Sequence, residues 1–142
     1  MATPDELREQ LAAARAEFRS ALEQVGDAWE KQPAGGGEGE ESWSPRQAAE
    51  HAIGTETFFA TAVCKACGYP GVDKVDTNYP TAQDALKAFD EVVEMCNKKL
   101  KHISEGDLQQ THERFGKVED LLNMNINHMR EHAAQMKETA GV

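Results

Sequence analysis

Apolar residues recur at intervals of three and four in four separate stretches of the chain, the period of helices that bury one face. In the first, Leu7, Leu11, Ala14, Phe18, Ala21, Val25 and Ala28 form a heptad-like seam suited to bundle packing. Thr3 is placed to cap it, with Pro4 at the first helical position and Glu6 able to complete a capping box. The pattern predicts a helix over 4–31, fading at Gln32-Pro33. A second helix, 45–67, opens in the same way with Ser44, Pro45 and Gln47, and Trp43 can pack back as a staple. It stops at Gly68, with Pro70 and Gly71 behind it. Thr81 caps a third, 82–102, whose seam is Ala85, Phe89, Val92, Cys96, Leu100 and Ile103. The last spans 117–138. No stretch reads as a convincing strand, so the expected class is all-α, a four-helix bundle in one domain over 1–142.

The connections are less regular. Ala34 to Glu41, AGGGEGEE, is too flexible and charged to pack and reads as a mobile surface loop. Gly68 to Pro80 has no periodicity, and Leu108 to Gly116 is ambiguous. The first and third connections exceed a tight hairpin loop, so the pattern leaves open whether the helices run up-down-up-down.

Composition narrows the function. Fifteen basic residues against 25 acidic ones give a formal charge of -10, which argues against nucleic acid and anionic membrane as partners. MATPDELREQ lacks the apolar core of a signal peptide, and no run approaches ~18 apolar residues. Three cysteines do not make a disulfide framework, so the expected setting is the cytoplasm.

Candidate chemistry lies in the last helix. At ~100° per residue, Val118, Leu121, Leu122, Asn125, Met129, His132 and Met136 share a stripe, with His128 on its flank. Two imidazoles and an amide on an apolar stripe need partners, because an unpaired buried polar group costs roughly 1–3 kcal/mol. His128 and His132 project from one face, one turn apart, a spacing at which two rings on a helix can grip one metal ion. His51 falls at the edge of the second helix's stripe of Ala48, Ala52, Thr55, Phe59 and Ala62, where it could point into the bundle. Three neutral imidazoles would leave an open position for water or substrate. The outer N–H of each ring would need an acceptor such as Asn125, Gln135 or a backbone carbonyl. Satisfied or surface histidines are the alternative, since paired histidines at this spacing also arise by chance.

The whole ordering resembles the DinB/YfiT-like family of four-helix-bundle metalloproteins. The likeness rests on Trp43-Ser44-Pro45 followed by His51, and on His128-x-x-x-His132 with the trailing Gln135. It implies that His51, His128 and His132 coordinate a divalent metal, usually nickel or zinc, and that homodimers form. It further implies chemistry with a low-molecular-weight thiol, as a transferase or a thiol-dependent isomerase. The glycine-rich first loop departs from the commoner pattern.

The remaining residues read as structural. Cys64-Lys65-Ala66-Cys67 sits at a helix C-terminus, the wrong dipole end for a thiolate, and Cys64 is ~20 Å along the helix from His51. Cys96 reads as core, as do Phe58, Phe59, Met124, Met129 and Met136. His102 and His112 read as surface residues. Glu50 and Glu131 each precede a candidate ligand and point elsewhere, so a ferritin-like di-iron site is not expected. Two functions follow. One is a metal-dependent enzyme that passes a small thiol to an electrophile, with Thr55 and Asn125 shaping its pocket. The other is a non-catalytic, dimeric binding or structural bundle.

Overall fold

The computed structural model describes residues 2–35 and 37–142; Met1, and Gly36 within the expected first loop, lie outside the described residues. Four helices form the body: α1 (Pro4–Gln24), α2 (Pro45–Ala66), α3 (Ala82–Leu100) and α4 (Val118–Ala140). α1 ends well before the expected residue 31, because Gly26 adopts φ +52, which breaks the helix into a short 3-10 turn at Gly26–Ala28. The chain still returns to the core there, since Val25 and Trp29 are buried and Trp29 Nε1 donates to the Tyr79 carbonyl. The expected caps form: Ser44 with Gln47 and Thr81 with Asp84 make reciprocal capping boxes, and Gly68 leaves α2 at φ +78.

The one departure in class is a two-residue hairpin, β1 (Thr111–His112) paired antiparallel with β2 (Gly116–Lys117), within the ambiguous stretch. It does not alter the all-α architecture. No described helix is long and apolar enough to cross a membrane.

α1 packs against α4 and α3, and α2 packs against the same two helices. The first and third connections therefore join helices that are not main packing partners, α1 to α2 and α3 to α4. The contacts His132–His51, His128–Thr55 and Asn125–Glu56 show α2 and α4 to be antiparallel: one index falls as the other rises. Leu7, Leu11, Phe18, Ile53, Phe89, Leu121, Met129 and Met136 fill the centre, with almost none of their surface exposed. Phe58 and Met124, expected in the core, are instead exposed, for their positions turn off the buried faces of α2 and α4.

A charged group lies inside this core. Glu56 of α2 has no exposed surface; it accepts from Arg15 Nε of α1 at 2.6 Å and from Asn125 Nδ2 of α4 at 2.6 Å. Arg15 also donates to Asn97 Oδ1 of α3 at 2.6 Å, so one network ties all four helices. A buried ion pair of this kind is held by mutual hydrogen bonding; either partner alone would be a costly buried charge.

Candidate metal centre

His51 sits near the start of α2, on the face that meets α4. His128 and His132 meet it from α4 because four residues make just over one turn. The three Nε2 atoms converge: His128 Nε2 is 3.2 Å from His51 Nε2 and 3.0 Å from His132 Nε2. Two rings are oriented from behind. Thr55 Oγ1 donates to the Ala52 carbonyl, so its oxygen accepts from His128 Nδ1 at 3.2 Å. Gln135 Nε2 donates to the Glu40 carbonyl, so its Oε1 accepts from His132 Nδ1 at 2.7 Å. These partners assign the proton of both rings to Nδ1 and leave Nε2 with a lone pair facing inward. Trp43 walls the site, its ring centroid 5.0 Å from that of His51 and 6.1 Å from that of His132.

Two of the rings, His128 and His51, are also held toward the neutral form. Burial, then the neighbouring His132 and His51, push His128 down to about 4. Burial also lowers His51, reinforced by His132 and opposed by Glu40. Neutral imidazole is the form that coordinates a metal.

Sequence reasoning missed a fourth group. The end of the expected loop, Gly39 to Glu41, is no bystander. A 3-10 turn, Glu40–Ser42, brings the Glu40 carboxylate to 3.5 Å from His51 Nε2 and 3.9 Å from His132 Nε2. The ligand atoms of Glu40, His51, His128 and His132 all lie within 4.8 Å of one another, so the group could hold a metal ion. The donor spacing fits one: metal–nitrogen bonds of about 2.0–2.1 Å place two imidazole nitrogens about 3.0 Å apart at a right angle and about 3.4 Å apart at the tetrahedral angle. The separations of 3.0 and 3.2 Å lie in that interval.

Beside the cluster is a cleft of ≈ 730 Å³, lined among others by Glu40, Glu131, His128, His132, Gln135 and Lys31. Glu131 faces this cleft, and Glu50 is taken up by Arg46 and the Tyr79 N–H. Of the two residues expected to shape the pocket, Thr55 stands behind His128 as its acceptor. Asn125 is buried, bonded to Glu56, and does not line the cleft. Of the acceptors expected, Asn125, Gln135 or a backbone carbonyl, Gln135 fills the role for His132, while Thr55 fills it for His128.

The cysteines take no part. Cys64 and Cys96 are buried, and burial raises all three thiols, Cys67 to about 11 and Cys96 to about 12.

Fold and site together define a helical bundle with a His/Glu group able to take a metal between two antiparallel helices. The DinB superfamily model matches residues 10–136, nearly the whole chain, and the chain belongs to that superfamily. No curated protein matches the chain closely enough to lend it a reaction.

Proposed function

We propose that the protein is a divalent-metal-dependent enzyme, with His51, His128 and His132 as ligands to nickel or zinc, that transfers a low-molecular-weight thiol to an electrophile. One observation carries the metal. His128 and His132 hold their protons on Nδ1, so two Nε2 lone pairs face each other at 3.0 Å. That contact is repulsive unless a cation or an added proton lies at the centre, and burial of His128 works against the proton. All-imidazole donors suit zinc or nickel over calcium or magnesium.

A bound divalent ion would lower the pKa of a thiol or polarise a substrate oxygen. The chain's own residues supply the rest. Thr55 and Gln135 fix the rings, and Trp43 shields His51 and His132 from water on one side. The cleft admits a small molecule, its volume within the roughly 300–1,000 Å³ usual for such sites. Transfer of a small thiol is supported by the family resemblance and by the size and position of the cleft.

The test is elemental analysis of protein purified without a histidine tag, after exposure to nickel and zinc, for the wild type and for H51A, H128A and H132A. One ion per wild-type chain, lost in each variant, is expected; wild-type protein that stays metal-free ends this reading. With metal loaded, conjugation of a small thiol to a chromogenic electrophile, measured across several thiols, tests the reaction separately.

A further inference from the structure

The three-histidine reading leaves one charged group at the same point without a role. The Glu40 carboxylate closes the side of the trio that faces the cleft, yet at 3.5 and 3.9 Å it sits farther from the nitrogens than the two closest pairs of nitrogens sit from each other. Its backbone and its side chain are held in opposite ways. The Glu40 carbonyl accepts from Trp43 N and from Gln135 Nε2, and Ser42 bonds back to Gly39, so the turn is pinned. The side chain is 60% exposed, and the histidines are the only partners of its carboxylate among the described residues. Arg8, Arg15, Arg19, Arg46 and Arg130 each pair with some other carboxylate. A carboxylate without a Lys or Arg partner, beside two inward lone pairs and the His51 ring, is explained by a shared cation.

We propose that Glu40 is the fourth ligand of the metal centre and its exchangeable one. This rests on the three-histidine reading above. Two of the histidines are fixed: His132 is 5% exposed, and His128 and His132 are bonded from behind. Glu40 can leave by rotating about its own side-chain bonds while its backbone stays in place. Charge favours the exchange. A thiolate carries the same single negative charge as the carboxylate it replaces, so the net charge of the site is unchanged once the incoming thiol has released its proton to solvent. Gln135 is the positioning residue, since its one amide holds both the His132 proton and the Glu40 carbonyl. The resting site is thereby closed by the chain itself and opens only to a donor able to compete with a carboxylate.

The experiment compares the wild type with E40Q, E41Q and H51A, each titrated with cobalt(II) and followed by visible absorption and by competition with a chromophoric chelator. Glu40 is exposed and outside the four helices, so E40Q should fold, and circular dichroism checks this. E40Q is expected to bind cobalt about 10- to 100-fold more weakly, the range typical for supporting groups at metal sites, with an altered absorption band. E41Q should match the wild type. Addition of 2-mercaptoethanol to the cobalt-loaded proteins should give a near-ultraviolet sulfur-to-cobalt band at lower thiol concentration in E40Q, which has no carboxylate to displace. If E40Q matches the wild type in affinity and absorption, Glu40 is not a ligand and the proposal falls while the three-histidine reading stands. Weaker cobalt binding with an unchanged thiol titration overturns the exchange. A wild type that takes no cobalt, or an H51A that binds as tightly as wild type, removes both readings together.

Discussion

His128 Nε2 lies against the Nε2 atoms of both other rings, and its acid behaviour follows from burial and from that crowding. In the unfolded chain it takes a proton near its ordinary 6.5; folded, burial and the two neighbouring rings hold it at about 4. Between those values the unfolded chain binds more protons. His128 therefore contributes stability that is complete above about 6.5 and is lost as pH falls toward about 4. In chelator, the melting advantage of the wild type over H128N should shrink from pH 7 to pH 5.5. An advantage equal at both would show that the ring is not buried neutral. Glu56 makes a second case. E56A strands the Arg15 charge in the core and should cost roughly 3–5 kcal/mol in denaturant unfolding, whereas the apolar pair R15M with E56L should recover most of it. E56A and the double variant being equally stable would mean that the ion pair does not organise the core. The two sites also differ in how far the sequence revealed them. His128 and His132 stand out because four residues on a helix put two polar rings on an apolar stripe. Glu56 and Arg15 lie 41 residues apart, and neither declares its partner until α1 and α2 are packed.

The elements were legible wherever local chemistry sets them. Caps at Ser44 and Thr81 and the exit at Gly68 are decided by a few adjacent residues, and the structure has them where the pattern puts them. The end of α1 was not, because the seam continues through Val25 and Ala28 while Gly26 turns the backbone beneath it. Glu40 was hidden for a related reason. A glutamate in a glycine-rich run has no periodicity to betray its direction, and only the turn at Glu40–Ser42 and the Gln135 tether give it one. That turn leads directly into Trp43 and the Ser44 cap, so the start of α2 acts as one unit with the site. Trp43 lies against His51 and His132, while Trp29 is buried and bonded to Tyr79. Nickel should therefore quench tryptophan emission mainly through Trp43: W29F should keep most of the quenching and W43F should lose it. Quenching that survives W43F would place the ion elsewhere.

A metal at this site would add a direct link between parts of the molecule that the fold otherwise joins through packing and the Arg15–Glu56–Asn125 hydrogen bonds. α2 and α4 are neighbours, but α2 reaches the bundle through a long connection from a helix that is not one of its main packing partners, and α4 does the same from α3. An ion held by His51, His128 and His132 ties the N-terminal part of α2 to the C-terminal half of α4. With Glu40 it also ties down the first connection. Because the unfolded chain cannot assemble these donors, binding energy adds to folding: free metal at 100 times its dissociation constant stabilises by about 2.7 kcal/mol. The melting midpoint should rise with zinc or nickel and fall back with chelator. H51A should show neither shift, because two ligands on one helix cannot link it to another. Hydrogen exchange resolves where the gain lies. Loading should slow exchange most at the first turns of α2 and in the C-terminal half of α4. α3 provides no ligand, so it should change only with global stability. Uniform slowing, with no excess at those two segments, would mean that the ion stabilises the protein from some other place.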